Sequence, residues 1–441
     1  MEQRRKNLTQ LFIPICLETL LYMLSGMVDT LMLSSVNDQA VGAVGTANTY
    51  IGIFIIMFSV ISSGMVAVMT QNIGAGRPGV AYQARQLGLT FNAVLGIIVS
   101  LILTFGAGAI LAGVGVADAL MQPARTYLQI VGGFCILNAL IPICSSYLRA
   151  FGFSKEPLYA SIIGNVINFC LNAFFLFVLH KGVAGVATAT VISRIINLVI
   201  VVLLGAVLVK AKQHPERESN REVMGQIIRI GLPSACETAI YNVSMTLVIR
   251  FLNQMDAQGL NVTARSYTMQ ITNFSYCVGA ALAQANAIMT GWRIGAKEYD
   301  ACDRGTRKAA IIGVIVAVIL ETMFALCSGW IMQLFSKDPQ MVSLVGKLLA
   351  IDIVLEMGRV TNLVYGQALK TSGDAVFPVV MGACFMILCS VGGTYLFGIR
   401  LGLLAVGAYI GMTGDECVRA VGMYLRWKSG KWKEKGLVKS R

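Results

Sequence analysis

The first apolar stretch of the chain contains a carboxylate that a lipid-facing helix would not need. Asp29 lies in the segment SGMVDTLMLSS, residues 25–35. A charge inside hydrocarbon costs about 3 kcal/mol or more, so an ionisable residue there is a functional candidate by default. Later apolar stretches offer oxygen-bearing partners for it: Asn168, Asn172 and Thr190.

The asparagines have a helical spacing. Asn165, Asn168 and Asn172 follow an i, i+3, i+7 pattern, which places all three on one helical face. Carboxylate, amide and hydroxyl oxygens bind hard cations, and a carboxylate can instead carry a proton. We therefore predict an ion-coupling site for Na⁺ or H⁺ at Asp29, Asn168, Asn172 and Thr190, with Na⁺ as the metal ion that these oxygens would hold.

Other ionisable residues also lie inside apolar stretches. Glu18 precedes Asp29 by about three helical turns, and Glu237 occupies the related place in the second half. Each glutamate follows a proline by four residues, so a structural role at a helix kink is as well founded as a functional one. Glu321 and Arg250 receive no assignment from the sequence.

A second group of candidates lies in the segment AIDIVLEMGRVTNLVYGQAL, residues 350–369. Glu356 and Arg359 are spaced i, i+3, so they can pair on one helix. The pair either only neutralises charge or, with Asn362, lines the second half of a substrate cavity. Among 21 Met, 19 Phe and 14 Tyr residues, a minority facing that cavity would suit flat apolar cations.

The elements that must position these residues are membrane helices. The 441 residues are 56% hydrophobic and only 13% charged, with a mean hydropathy of +0.71, which is too little charge to cover a soluble protein. Apolar runs of about 20 residues recur, each long enough to cross a bilayer as a helix. We predict an all-α membrane protein with about twelve transmembrane helices, over residues 8–33, 40–70, 87–113, 124–150, 157–179, 184–209, 222–251, 259–291, 306–335, 341–370, 376–398 and 403–427.

The net charge of +13 follows the membrane topology and does not indicate nucleic-acid binding. Basic residues cluster in alternate loops and in the tail RWKSGKWKEKGLVKSR, whereas the intervening loops are nearly free of them. This positive-inside pattern predicts that both termini are cytoplasmic. The eleven cysteines include no CxxC pair, which disfavours a zinc site.

The two halves of the chain resemble each other. LFIPICLETLLY aligns with RIGLPSACETAIY, and MTQNIGAG aligns with MTGWRIGA, both at an offset near 220. We predict two pseudo-symmetric six-helix bundles, residues 1–210 and 222–441, joined by a cytoplasmic linker at 211–221. In transporters built from parallel repeats, substrate binds between the halves and one half rocks against the other.

The repeat also serves as an internal control for the polar cluster. At an offset of about 220, the counterparts of Asp29, Asn168, Asn172 and Thr190 are apolar: Val248, Leu388, Val391 and Ile410. We therefore expect the buried polar site to be peculiar to the first half.

The ordered set of motifs resembles the multidrug and toxic compound extrusion (MATE) family along essentially the full chain. It comprises IPICLETLLYMLSGMVDTLMLSS, TQNIGAGRPGVAYQARQ, YLRAFGFSKEPLYASIIGNVINFCLNAFFLF, KGVAGVATATVISR, LKTSGDAVFPV and DECVRAVGMYLRWKSGKW. The resemblance implies a V-shaped pair of six-helix bundles in a prokaryotic cytoplasmic membrane. It also implies export of drugs or metabolites against inward flow of Na⁺ or H⁺.

The resemblance assigns roles residue by residue. Asp29 matches the first-helix carboxylate of the family's ion site, and Asn168 and Thr190 match that site's Asn and Thr. Asn172 stands where many members have a second Asp, which leaves one negative charge for the coupling ion. The second-lobe cation site of some relatives is not matched by Glu237, and Glu356 is the candidate substitute.

The sequence therefore predicts a multidrug efflux antiporter with rocker-type alternating access, acting on organic and chiefly cationic drugs or dyes. We expect a monomer in the lipid bilayer, with no nucleic-acid partner and no cofactor beyond the coupling ion. The alternative is a related flippase for a lipid-linked precursor, which the mainly acidic intramembrane charges disfavour. An enzyme is not expected, because the two histidines, His180 and His214, both lie in loops.

Overall fold

The structure, a computed structural model, describes residues 6–35, 38–113, 116, 118–209, 216–256, 259–333 and 335–438. Over these residues the chain is helical and forms no strand. It divides into two compact units, Met1–Leu232 and Pro233–Arg441. Part of the predicted linker, residues 211–215, lies outside the described residues.

The first unit is built from long helices and a short π-helical segment. The segment Phe174–Val178 is π-helical and directly continues α6. The helices of this unit, including the first turns of α8, are α1 (Leu8–Ser34), α2 (Asp38–Gly74), α3 (Pro78–Gly113), α4 (Asp118–Gly133), α5 (Ile136–Ala150), α6 (Lys155–Ala173), α7 (Gly182–Leu208) and α8 (Asn220–Met255).

The second unit continues α8 and repeats the same order of elements. Two π-helical segments, Met386–Val391 and Thr394–Arg400, follow α13, and a 3₁₀ turn at Lys431–Lys435 follows α14. Its other helices are α9 (Leu260–Gly295), α10 (Tyr299–Leu326), α11 (Ser328–Met332), α12 (Pro339–Ser372), α13 (Val376–Phe385) and α14 (Leu404–Lys428).

Each of the twelve predicted membrane runs coincides with one helix or with consecutive helical segments of the described chain. Seven helical segments are long and apolar enough to cross a membrane by length and composition, and the α4–α5 pair is an eighth. Four long helices of the described chain are too polar to pass this test of length and composition: α8, α9, α12 and α14. The shortfall has a physical cause, because these helices carry the polar and charged side chains of a cavity in the second unit.

The predicted span at 124–150 is built from two helices, because α4 and α5 meet at a bend of 43°. The bend follows Gly132 and Gly133, and a pair of small residues is a common cause of a helix kink. A Cβ atom at these glycines would lie 2.9 Å from Leu103 Cβ and 2.8 Å from Thr104 Oγ1 of α3. The glycines therefore also allow α4 to approach α3 closely.

The helix order repeats along the chain as the sequence motifs predicted. Helices of the second unit begin 221 or 222 positions after those of the first, at Leu260, Tyr299, Pro339, Val376 and Leu404 against Asp38, Pro78, Asp118, Lys155 and Gly182. The π-helical segment at Phe174–Val178 likewise has a counterpart at Thr394–Arg400. The duplication therefore extends to local departures from α-helical geometry.

Left-handed backbone positions repeat at the same offset. Gly76 has a φ of 75° and Lys297 has a φ of 59°, while Gly182 and Leu404 both have a φ of 54°. Glycine adopts this conformation without steric strain, whereas a residue with a Cβ atom does not. The second unit thus has the same two left-handed turns, although Lys297 and Leu404 stand where the first unit has glycine.

The outer surface is apolar, as a membrane protein requires. Large hydrophobic side chains are strongly exposed, for example Phe105 at 83%, Leu326 at 81% and Val207 at 71%. A soluble monomer would not expose so many such side chains. Buried clusters pack inside each unit, around Leu103 and Leu128 in the first and around Leu348 in the second.

A hydrogen-bonded aspartate fixes the start of α9. Asp256 Oδ1 accepts from the backbone amide of Leu260 at 2.9 Å, and Oδ2 accepts from the amide of Asn261 at 3.1 Å. Burial alone would raise the pKa of Asp256, but the hydrogen bonds from Asn261 and Leu260 outweigh it and lower that pKa. Asn261 Oδ1 in turn accepts from the amide of Ala405 at 3.0 Å, which links this turn to the start of α14.

The carboxyl-terminal tail packs against the second unit. Trp432 is 1% exposed and stacks on Trp427, with ring centroids 4.1 Å apart and an interplanar angle of 7°. Its Nε1 donates to the carbonyl oxygen of Trp427 at 2.9 Å, while Trp427 Nε1 donates to Asp303 Oδ1 at 2.9 Å. The end of α14 is therefore tied to the start of α10.

Candidate functional site

The predicted ion site in the first unit is largely assembled by three side chains. Asn172 Nδ2 of α6 donates to Asp29 Oδ1 of α1 at 2.6 Å and also to Asn168 Oδ1 at 3.2 Å. Asn172 is fully buried, Asn168 is 5% exposed, and Asp29 is half-buried. Asn172 thus contacts the carboxylate directly, whereas Asn168 is linked to it only through Asn172.

The site presents oxygen atoms that a cation can use. Asn172 Oδ1 is buried and accepts no hydrogen bond from any described residue. Together with the oxygens of Asp29 and Asn168, it supplies the donor chemistry that Na⁺ prefers, and the carboxylate can alternatively bind a proton. The residues present therefore fit either coupling ion.

The remaining polar residues of this region take different partners. Thr190 of α7 is 6% exposed, and its hydroxyl donates to the carbonyl oxygen of Val186 on its own helix at 2.9 Å. Asn165 Nδ2 donates to the carbonyl oxygen of Leu21 at 3.5 Å. Among the described residues, the structure thus brings Asn168 and Asn172 together with Asp29 but gives Thr190 no hydrogen bond to that carboxylate.

Glu18 and its repeat mate Glu237 each form an ion pair. Glu18 Oε2 lies 2.6 Å from Arg149 Nη2, and Glu237 Oε2 lies 2.6 Å from Lys370 Nζ. Both glutamates are 14% exposed at the side chain. The pairs join α1 to α5 in the first unit and α8 to α12 in the second, so each glutamate has a structural role, and Glu237 also lines a cavity.

The second unit contains a cavity of about 420 Å³. Its wall comes from α8, α9, α12, the π-helical segment at Met386–Val391 and α14. The wall includes four methionines and three tyrosines, which are adaptable and flat surfaces for an apolar molecule: Met245, Met269, Met386, Met412, Tyr241, Tyr276 and Tyr409.

Charged side chains form a continuous network beside this cavity. Arg359 pairs with Glu356 and lies 3.5 Å from Glu416 Oε1. Arg419 pairs with Asp415 at 2.7 Å and with Glu416 at 3.0 Å. Every member of the network except Glu356 lines the cavity, and Glu356 is 0% exposed.

Hydrogen bonds from neutral residues complete the network. Asn362 Nδ2 donates to Glu416 Oε2 at 3.0 Å, and Ser390 Oγ donates to Asp415 Oδ2 at 3.0 Å. Of the three predicted residues, Arg359 and Asn362 line the cavity, whereas Glu356 pairs with Arg359 and does not line it. Their buried charges are paired and hydrogen-bonded, which is the condition under which ion pairs are tolerated in a low-dielectric interior.

The expectation that buried polar chemistry is peculiar to the first half is wrong. The repeat-equivalent positions are apolar, and Val248 is fully buried, but the charges of the second unit lie at other registers of α12 and α14. The view that intramembrane charges are mainly acidic also fails here. The cavity wall carries four acidic and four basic side chains: Glu237, Asp352, Asp415 and Glu416, against Arg265, Arg359, Lys370 and Arg419.

Three carboxylates of the second unit lie close together, and one of them, Asp352, also lines the cavity. Each of Glu321, Asp352 and Glu356 offers an oxygen within 4.8 Å of the other two, and all three are buried. Like charges at such distances repel one another strongly in a low-dielectric site, and Arg359 is paired with only one of the three, Glu356. Glu321, which received no assignment from the sequence, is thus a member of this carboxylate group. Arg250, the other unassigned residue, is an exposed residue of α8.

Sequence reasoning missed Arg265, Asp415, Glu416 and Arg419 as site residues. A signal was present for the last three, because Asp415 and Glu416 precede Arg419 by four and three residues inside an apolar run. No comparable local signal exists for Arg265, whose importance depends on which groups surround it in space.

Comparison with known proteins identifies the family. The MatE family model matches residues 14–174 and 233–396, which is one segment in each unit. The chain belongs to the MatE family. It is a multi-pass helical membrane protein of the MATE class of multidrug efflux transporters, as the sequence motifs predicted.

Relatives and solved structures agree with this assignment. The MATE chain is 34% identical over 431 residues to the uncharacterized transporter YisQ of Bacillus subtilis (strain 168), covering 96% of this chain and 94% of that protein. It is 23% identical to the probable multidrug resistance protein NorM of Thermotoga maritima, covering 98% and 94%. A crystal structure of MATE in the straight conformation has the same fold, with a TM-score of 0.87 at 19% identity and coverage of 97% and 96%.

Proposed function

We propose that this MATE chain is a Na⁺- or H⁺-coupled antiporter that exports organic molecules across a prokaryotic cytoplasmic membrane by rocker-type alternating access. The observation that carries the proposal is the contact between Asp29 and Asn172. It gives a carboxylate within the membrane two amide neighbours with oxygen atoms, in a protein of a transporter family.

The Asp29 site links ion binding to helix packing. Asn172 Nδ2 holds Asp29 of α1 against α6 when the carboxylate oxygen accepts its hydrogen bond. A bound cation competes for the same oxygen, and a bound proton removes its charge. Ion binding therefore changes the contact between α1 and α6, and coupling follows if that change alters the affinity for the exported molecule, reciprocally.

The exported molecule binds, in this proposal, at the cavity of the second unit. Its methionines and tyrosines favour a flat organic body, and its charged network offers polar contacts. The four basic residues of the cavity wall favour the flippase alternative, because they could bind phosphate. Three of them, Arg359, Lys370 and Arg419, already contact carboxylates, so less positive charge remains for a diphosphate than that function would need.

The test is transport by purified protein in proteoliposomes with Na⁺ and pH gradients imposed separately, using a fluorescent organic cation. We expect one gradient to drive export by the wild type, and Asp29→Asn to abolish that response because a neutral amide neither carries the proton nor supplies the charge. Asp118→Asn is the matched control, since Asp118 is an exposed carboxylate of the same unit. Gradient-driven export at the wild-type rate by Asp29→Asn contradicts the proposal.

A further inference from the structure

Arg265 is a buried cation on the cavity wall of the second unit. It belongs to α9, is 6% exposed and lines the cavity. Among the described residues its one side-chain hydrogen bond is weak, since Nη2 lies 3.7 Å from the thioether sulfur of Met245. Its Nε–H donates to no acceptor within hydrogen-bonding reach among the described residues.

The other basic residues of the same wall differ from Arg265 in this respect. Arg359 contacts Glu356 and Glu416, and Arg419 contacts Asp415 and Glu416. Lys370 contacts Glu237. Among the described residues, Arg265 has no carboxylate within 4.0 Å, the distance that defines these ion pairs.

A guanidinium group in this position is suited to binding an anion. Its donors lie in one plane and match the two oxygens of a carboxylate, sulfonate or phosphate. Removing such a group from water without a counter-charge is unfavourable, so an anion that reaches it gains a strong interaction. The neighbouring methionines and tyrosines of the wall would contact the apolar body that carries the anionic group.

We propose that Arg265 is a specificity-determining residue that binds the anionic group of the exported molecule, and that the cavity accepts aromatic organic anions and zwitterions. This inference rests on the proposed function, because it assumes that the cavity holds the molecule that is exported. It differs from the expectation of chiefly cationic substrates, which rested on the methionine and aromatic residues and on the family resemblance.

The first test measures equilibrium binding to the purified full-length protein in detergent, so it does not depend on ion coupling. The probes are a fluorescent aromatic carboxylate and its uncharged methyl ester. We expect Arg265→Gln to weaken binding of the carboxylate by about 10- to 100-fold, the loss typical of a hydrogen-bonded charge, and to leave binding of the ester unchanged. Arg265→Lys should fall between the wild type and Arg265→Gln, because it keeps the charge but loses the planar pair of donors.

The structure also supplies the controls. Arg265→Gln leaves no carboxylate without its ion-pair partner, so the variant should keep the melting temperature of the wild type. Arg250→Gln removes an exposed arginine from the neighbouring helix α8 and should bind both probes as the wild type does. Equal affinity of wild type and Arg265→Gln for the carboxylate, or an equal loss for the ester, overturns the proposal.

A transport assay separates this inference from the proposed function. If gradient-driven export of an organic cation depends on Asp29 but the carboxylate probe is neither bound nor exported, only the role of Arg265 is refuted. If the carboxylate binds through Arg265 but no gradient drives export of any probe, the proposed antiport is refuted and the binding role stands.

Discussion

At the residue scale, Asn172 is the centre of the proposed ion site of the first unit. One amide nitrogen serves both Asp29 and Asn168, while the amide oxygen of the same side chain accepts no hydrogen bond from the described residues. Many relatives are expected to carry a second carboxylate here. With an amide instead, the site holds one negative charge, that of Asp29. The hydrogen bond from Asn172 then determines the position of this carboxylate.

Replacing Asn172 should therefore weaken ion coupling. We expect Asn172→Leu, which keeps the approximate volume, to raise the ion concentration for half-maximal export by about 10-fold, the size of a lost charge-assisted hydrogen bond. The measurement is gradient-driven export in proteoliposomes over a series of Na⁺ or H⁺ concentrations.

Asn165→Leu is the comparison variant for this experiment. Asn165 shares the helical face of Asn172, but its side chain donates only to the backbone oxygen of Leu21 at 3.5 Å. We expect its ion dependence to match the wild type. An equal shift in both variants would mean that a polar helix face, and not the contact with Asp29, sets the affinity for the ion.

The residue contacts were partly predictable from sequence. Periodicity alone placed Asn168 and Asn172 on one face, and the rarity of a carboxylate in hydrocarbon singled out Asp29. The role proposed for Arg265 could not be read in this way, because it depends on no described carboxylate lying within 4.0 Å of the guanidinium group, whichever helix carries that carboxylate. Tertiary packing decides that question, and local spacing contains no information about it.

At the element scale, the two units connect corresponding helices by corresponding ion pairs. The ion pairs Glu18–Arg149 and Glu237–Lys370 connect corresponding helices with the same 2.6 Å separation. The sequence repeat predicted the relation between Glu18 and Glu237. It did not reveal their basic partners, which belong to helices more than 100 residues away.

The left-handed turn at Lys297 offers a test of this duplication. Lys297→Gly should raise the free energy of unfolding by about 1 kcal/mol, because a Cβ atom is strained at a φ of 59° and glycine is not. The exposed lysine loses no packing. The melting temperature in detergent measures the change.

Gly76→Lys is the reciprocal variant of the first unit. A Cβ atom at Gly76 meets nothing within 4 Å, so any loss of stability comes from the backbone at a φ of 75°. We expect a lower melting temperature for this variant. If Lys297→Gly melts below the wild type, backbone strain does not control stability at this turn.

Helix boundaries were less predictable than helix existence. Hydropathy located all twelve runs because a bilayer demands continuous apolar segments. It extended the run at 124–150 through Gly132 and Gly133, where close packing against α3 permits the bend. Contacts between helices set such details, and they are not encoded in the hydropathy of one segment.

At the scale of the whole molecule, the duplicated units have diverged in their buried charges. The first unit has a small polar site around one carboxylate, and the second has a cavity with eight charged side chains on its wall. A shared helix order therefore does not impose shared chemistry. This divergence is the structural basis for assigning ion coupling to one unit and substrate binding to the other.

The orientation of the chain in the membrane is a further prediction at this scale. Because basic residues cluster in alternate loops, both termini should be cytoplasmic. A green fluorescent protein fused at the carboxyl end should fluoresce, and alkaline phosphatase at the same point should be inactive. Alkaline phosphatase inserted after Met255, at the opposite end of α8, should be active, and the reverse pattern would contradict the predicted topology.

The stacked pair Trp427 and Trp432 has an optical consequence. Two stacked indoles 4.1 Å apart couple their strong electronic transitions, which produces an exciton signal in far-ultraviolet circular dichroism. That signal vanishes if residues after Ser429 detach from the second unit, whereas Trp330, 72% exposed, reports separately through its emission wavelength. The unlabelled protein thus carries its own spectroscopic reporter of the carboxyl-terminal segment.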